Sequence, residues 1–305
     1  ISLIRKRVSA VRIISLIIRF LPRVNNLKLI LWHSLLLVFS GKPATLYKSK
    51  EILKALKSTY SYIDSQNIFY SSLFSYLARG RNYSKILHQL KHINPKRVFV
   101  FHHYDARGFF PLSWINVLLD IKKSGWTIII STSYVNHTTS LELEKKGFLI
   151  AERLNIGLCL GAYKDLILML NSNHLLSTEL KSLVLCNDST LPIKGEEIVR
   201  ILDQLVNENE SSKENILMGL TDSSERGLYH LQSYFLYANY SCIQSNFWQK
   251  FWIQFNPNQS KERLIYDGEI GLSQAAISSG LNLKAIYSII ERLASDESIS
   301  YALNK

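Results

Sequence analysis

Cysteine is scarce. Cys159, Cys186 and Cys242 are the only three in 305 residues, each lies in an apolar run, and no CxxC or metal-type spacing joins them. They read as core thiols in a reducing compartment, which excludes a disulfide-stapled secreted domain. The glycine patterns that cradle phosphates are also missing. There is no GxGxxG and no Gly-Lys-Ser/Thr, so neither a dinucleotide fold nor a P-loop NTPase is supported. No zinc, RNP-type or helix-turn-helix signature occurs, and the basic residues are densest before position 57, which argues against a nucleic-acid partner. The apolar run Leu29 to Phe39 is too short to cross a bilayer, which takes about 20 residues. Ile1 to Arg23 has no acidic residue.

What is present suits a large packed core: 47% hydrophobic and 11% aromatic residues. Lys and Arg outnumber Asp and Glu by 36 to 24, a formal charge of +12, which favours an anionic partner. Arg5, Lys6, Arg7, Arg12, Arg19 and Arg23 interleave with apolar residues. That stretch reads either as a helix lying in an anionic membrane interface or as a basic helix packed on the protein's own core. No small-residue cleavage site follows it, so a signal peptide is not expected. Residues 1–93 are thus expected to form a basic, apolar helical region. Ile52 to Leu90 shows three- and four-residue apolar spacing, and its tyrosines suit helix packing better than base stacking.

From Asn94 to the end the pattern changes. Arg97 to His103 is a strand, Leu112 to Lys123 a helix, Thr127 to Ile130 a strand, Leu141 to Lys146 a helix and Leu149 to Glu152 a third strand. Alternation of this kind gives an α/β, Rossmann-like, mostly parallel sheet flanked by helices over residues 94–305. Polar groups gather where the strands end: His102, His103, Tyr104 and Asp105 after the first, Ser131 to Ser133 after the second. A nucleotide binds at such ends. In LNIGLCLGAYKD, Asn155, Gly157, Gly161 and Ala162 lie at the start of a helix, where glycine lets a backbone approach a phosphate.

Ser182 to Pro192, SLVLCNDSTLP, is a buried strand that ends on Asn187 and Asp188. A carboxylate there either caps a turn or holds Mn²⁺ or Mg²⁺ against a diphosphate. Tyr229 to Tyr234 alternates aromatic bodies with polar tips on an expected strand. His230, Gln232 and Tyr234 therefore suit a sugar or diphosphate, or else a core strand with satisfied tips. Trp248 and Trp252, four apart, read as one packed helix face. Asn207 to Lys213 reads as a loop. Glu269 precedes the apolar-periodic helix Leu272 to Ser279, which Gly280 closes.

The segments HHYDARG, TIIISTS, LNIGLCLGAYKD, LVLCNDSTLP, GLTDSSERGLYHLQSYFLYA and YDGEIGLSQAAISSG, in that order, resemble the rhamnan synthesis protein F family of bacterial polysaccharide glycosyltransferases over about Arg97 to Gly280. They also resemble the wider GT-A plan. The resemblance implies a nucleotide-lining segment at Asn155, Gly157, Gly161 and Ala162, a metal-holding Asp188, and an acceptor-activating acidic residue ahead of the LSQAAISSG helix. This chain departs from the plan twice: Cys186-Asn187-Asp188 offers one carboxylate where the plan has two, and Gly268-Glu269 stands for a paired Glu-Asp. Glycosyl transfer needs a base for the acceptor hydroxyl and a clamp for the departing diphosphate. Glu269 is the preferred base and Asp222 the second candidate. Asp188, Lys164 and His230 are the clamp. The expected partners are a nucleotide-diphosphate sugar, a glycan or lipid-linked acceptor and an anionic membrane surface, with a cytoplasmic or peripheral inner-face location. The competing expectation is a GT-A-like domain that has lost catalysis and acts as a scaffold.

Overall fold

A computed structural model describes residues 75, 78–80, 82–133, 135–172, 180–190, 194–257 and 260–295. The chain divides into two compact units, Ile1–Asp64 and Ser65–Lys305, and the described residues lie in the second. The expectations for Ile1 to Phe39 therefore fall outside the described residues. Among the described residues, no helix is long and apolar enough to cross a membrane.

The elements run α1 (Tyr83–Ile93), β1 (Arg97–His103), α2 (Leu112–Lys123), β2 (Thr127–Thr132), α3 (His137–Lys145), β3 (Leu149–Glu152), α4 (Leu158–Ser172), β4 (Ser182–Asn187) and α5 (Gly195–Asn209). They continue with β5 (Leu217–Ser223), β6 (His230–Leu231), β7 (Phe235–Asn239), α6 (Tyr240–Gln244), α7 (Asn246–Gln254) and α8 (Lys261–Arg263). A π-helix (Leu264–Ile270), α9 (Gly271–Ser278), β8 (Lys284–Tyr287) and α10 (Ile289–Ser295) complete them.

The strands order as β3-β2-β1-β4-β7-β5-β6, with β8 beside β5. β3, β2, β1 and β4 are mutually parallel, and so are β5 and β8. β7 runs against both β4 and β5, and β6 against β5. The α/β class with a mostly parallel sheet flanked by helices is therefore what the chain adopts.

Period-two strands explain the layers. Val98, Val100, Leu183 and Leu185 face one side, where α1, α4 and α7 bring Ile86, Leu90, Leu166, Trp248 and Trp252. Phe99, Phe101, Val184 and Cys186 face the other, against Trp114, Leu118 and Ile121 of α2 and Leu202 and Leu205 of α5. Trp248 and Trp252 are fully buried packing residues, their rings 5.6 Å apart and edge to face. α1, assigned from sequence to the N-terminal region, puts Ile86 and Leu90 into the same core as the sheet. Asn207 to Lys213 is not all loop, because α5 continues to Asn209.

Strand order reverses direction at β1, from which β2 and β3 step one way and β4 the other. That switch point lies at the carboxyl ends of β1 and β4, the usual ligand position in such sheets. His102 and His103 end β1, and Asn187 ends β4 with Asp188 following it.

Candidate functional site

β1 and β4 are in register with His102 opposite Asn187. One residue further on, His103 and Asp188 meet: Nδ1 lies 2.6 Å from Asp188 Oδ2. The other ring nitrogen, Nε2, donates to the Phe109 carbonyl at 2.8 Å. With a carbonyl on one side and a carboxylate on the other, the ring donates from both nitrogens and is cationic. Burial opposes that charge, but the hydrogen bonds to Asp188 and Phe109 outweigh it and raise the His103 pKa. Burial likewise opposes the Asp188 carboxylate, and the His103 contact holds it below the usual range. The Tyr104 amide also donates to Oδ2, at 3.3 Å. His102, by contrast, is neutral: burial first, then Arg153, lowers it to about 3.

This arrangement tests the Mn²⁺ or Mg²⁺ expected at Asp188. Its Oδ2 is taken by His103 and Tyr104, and the nearby Asp105 accepts from Arg107, at 2.7 Å from the amide and 3.2 Å from the guanidinium. Among the described residues no group of three or more His, Cys, Asp or Glu side chains is arranged to hold a metal ion. One partly engaged carboxylate does not fit a divalent ion held by the protein alone.

The reversed strand brings in the second half of the site. Because β7 pairs antiparallel with β4, Cys186 opposite Phe235, it is the start of β7 that lies at the carboxyl edge. There the Asn187 amide donates to the Tyr234 carbonyl at 3.0 Å, and the Tyr163 hydroxyl to the Ser233 carbonyl at 3.3 Å. Ser233 in turn holds Glu269: its amide donates to Oε2 at 2.7 Å, and its hydroxyl donates to the same oxygen. Glu269 sits on the π-helix, and a single π-turn within α-helical structure is frequent at functional sites. Glu269 Oε1 faces His230 Nε2 at 3.7 Å. Half-exposed Tyr234 shares a hydrogen bond with Thr221 Oγ1, which also donates to Gln232 Oε1 at 2.6 Å. Asp188, Asn187, Tyr234, Gln232 and Glu269 therefore lie along one sheet edge.

Several other expected site residues serve the scaffold. Lys164 is fully buried, and its ammonium donates to the Ile253 and Phe255 carbonyls at the end of α7, so it does not clamp a diphosphate. Burial lowers its pKa to about 7. Asp222 is buried and accepts from the Ser288 hydroxyl and the Ile289 and Ile290 amides, tying β5 to the start of α10; it is not placed to be a base. Ser131 lies beneath His102, 3.4 Å from its Nδ1, with no exposed surface to offer a nucleotide. Ala162 is likewise fully buried in α4. Asn187 uses Oδ1 on the Ser189 amide at 2.8 Å, a turn-forming bond. His230 is buried behind Glu269, with almost no surface to offer a ligand.

The glycines expected at a phosphate close-pack instead. A Cβ on Gly161 would lie 2.0 Å from the Ile156 carbonyl oxygen, so α4 can press on the preceding loop only with glycine there. Gly157 and Leu158 both take positive φ, +77° and +53°, in the turn that starts α4. Arg153 fixes that turn from below: Nε donates to Asp165 Oδ2 at 2.8 Å and Nη2 to the Ile156 carbonyl at 2.7 Å, and Ser75 donates to Asp165. Asn155 stands on the same loop, its Oδ1 shielded from solvent and without a hydrogen-bond partner among the described residues.

Sequence reasoning did not pick out His103 as the partner of Asp188, nor Arg153, nor Ser233. The double histidine at the strand end was the available signal for the first. Nothing local marks the other two.

No family model matches the chain. It is 26% identical over 187 residues to the uncharacterized protein y4gN of Sinorhizobium fredii, a match that takes in 60% of this chain and 46% of that protein. The chain thus spans less than half the length of this curated relative. Among solved structures, a cytidylyltransferase from Leptospira borgpetersenii superposes with a TM-score of 0.36 at 11% identity, over 64% of this chain and 76% of that one.

Proposed function

We propose that the chain is a glycosyltransferase of the rhamnan synthesis protein F kind. It moves a sugar, rhamnose or another deoxyhexose, from a nucleotide-diphosphate sugar to a bacterial surface polysaccharide or a lipid-linked glycan. The observation that supports this reading is that Asp188, which follows β4, and Glu269, held by Ser233 just ahead of β7, are distant in sequence yet stand along one carboxyl sheet edge. In this reading the diphosphate lies at the carboxyl ends of β1 and β4, beside Tyr104. There the His103 cation offsets the Asp188 charge that would otherwise repel it. Gln232 and Tyr234 meet sugar hydroxyls, and Glu269 accepts the acceptor's proton as its oxygen attacks the anomeric carbon. The basic stretch Ile1 to Arg23 would hold the protein at an anionic membrane surface, near a lipid-linked acceptor.

Two measurements test this. A thermal-shift screen of UDP, dTDP, GDP and CMP, each with and without Mn²⁺, should reveal one that raises stability, by about 2.7 kcal/mol at a hundred times its Kd. Glu269→Gln should then lower transfer about 100-fold while leaving nucleotide affinity unchanged, because it keeps the side chain's shape and removes only proton acceptance. Full activity in that variant would remove Glu269 from the mechanism. A nucleotide-binding scaffold without transfer is the second reading, favoured by the occupation of Asp188 by His103. Nucleotide binding with no transfer to polyprenyl-linked or polysaccharide acceptors would select it.

A further inference from the structure

The imidazole behind Glu269 has no part in that scheme. His230 lies on β6 and is 1% exposed, so it can act only through a neighbour. Its Nδ1 is 2.8 Å from the Leu228 carbonyl. A carbonyl only accepts, so Nδ1 carries the hydrogen and the neutral ring has its lone pair on Nε2. That nitrogen faces Glu269 Oε1 at 3.7 Å, too far for a hydrogen bond and with no proton between two acceptors. The other carboxylate oxygen, Oε2, already accepts twice from Ser233. A proton arriving at Glu269 therefore goes to Oε1, the oxygen that faces the imidazole.

We propose that His230 is the positioning partner of Glu269 and receives from it the proton taken from the acceptor hydroxyl, so that the carboxylate is restored within each turnover. The inference rests on the reading of Glu269 as the base. In the first step the acceptor O–H bond breaks and Oε1–H forms. The acceptor oxygen bonds to the anomeric carbon, and the C–O bond to the diphosphate breaks with its electron pair leaving on the diphosphate. In the second step Oε1–H breaks and Nε2–H forms, giving an imidazolium beside a carboxylate. As products depart, Nε2–H breaks and the proton leaves to water through Oε1 of Glu269, the more exposed of the two groups. Closing the gap to a charge-assisted bond takes about 1 Å of side-chain movement, of the kind that ligand binding brings.

The other titratable groups near the pair do not compete for the proton. Burial, and then the Glu269 charge, hold Cys159 up at about 11, and the same two causes raise Tyr234. Tyr229 is raised to about 12 by burial and by Asp222. Asp222, across β5, is committed to its hydrogen bonds with Ser288, Ile289 and Ile290.

His230→Asn is the discriminating variant, because the Asn amide can still donate to Leu228 while nothing remains at Nε2. With a donor and acceptor that support transfer, kcat should fall about 10-fold with KM unchanged. Independently of turnover, ¹⁵N NMR of the His230 ring should show the Nδ1–H tautomer, and the Nε2 resonance should shift in Glu269→Gln, which changes the group facing it. An Nε2–H tautomer, an Nε2 resonance unmoved by Glu269→Gln, or full kcat in His230→Asn would overturn the proposal. If Glu269→Gln itself keeps full transfer, the base reading fails. If it abolishes transfer while His230→Asn keeps full kcat, only the role of His230 fails.

Discussion

Asp222→Ala separates scaffold from chemistry at the one position where the sequence offered a rival base. The carboxylate accepts four hydrogen bonds: the Ile289 and Ile290 amides at 2.7 and 3.3 Å on Oδ1, and the Ser288 and Tyr229 hydroxyls at 2.6 and 3.3 Å on Oδ2. The two amide bonds cap the start of α10, and losing a helix cap costs about 1 kcal/mol. Each hydroxyl bond to a charged, buried acceptor contributes about 1.5 kcal/mol. The groups share one partner and their losses do not add fully, so a destabilisation of about 3 kcal/mol is expected. In a domain of this size that lowers Tm by about 6–12 °C. Thermal and urea unfolding measure it, and transfer is assayed well below both midpoints, per folded molecule. Transfer should stay within about two-fold of the unmutated protein, since no transition-state contact is lost. A Tm within about 2 °C of the unmutated protein would refute the capping argument, and an unshifted Tm with abolished transfer would make Asp222, not Glu269, the base.

Lys164→Met tests whether the buried ammonium is a burden on the fold. With the folded pKa at about 7 and the unfolded one at 10.5, the unfolded chain binds more protons between those values, so stability should rise with pH across that window. Urea unfolding at pH 7 and pH 10 should show this rise in the unmutated protein and its loss in Lys164→Met; equal pH dependence in both would refute the assignment. His103→Gln frees Asp188 Oδ2 from its cationic partner, so Mn²⁺ should strengthen nucleoside diphosphate binding more in the variant than in the unmutated protein. Isothermal titration with and without Mn²⁺ measures this, and an identical metal effect in both would show that His103 does not compete for the carboxylate.

The legible parts of this chain are those fixed by local pattern. Arg97–His103, Leu112–Lys123 and Leu149–Glu152 form the elements that apolar periodicity predicts, because each buries its own repeat against the sheet. Tyr229 to Tyr234 misleads: only His230–Leu231 pairs as strand, and the longer strand follows at Phe235–Asn239. The first stretch alternates while the second is a mostly apolar run buried at every position, as its pairing with β4, a long-range fact, requires. Lys164 looks like a phosphate ligand because it follows two glycines. The carbonyls that claim it belong to residues 253 and 255, and no local pattern announces them. Asp188 and Glu269 were legible as strand-end and helix-start carboxylates. The Asp188 partner His103 and the Glu269 anchor Ser233 were not, since both arise from strand order.

The π-helix that carries Glu269 makes the site sensitive to chain length in a way the sheet is not. A π-turn is an α-helix that has gained one residue, and each residue advances an α-helix by about 100°. Losing Ile270 would let the segment relax to an ordinary α-helix with α9 unmoved. The residue then occupying the place of Glu269 relative to Ser233 would be its neighbour in sequence, and the carboxylate would point about a quarter-turn away. A single lost codon is therefore enough to give a protein of the same shape with no carboxylate at Ser233.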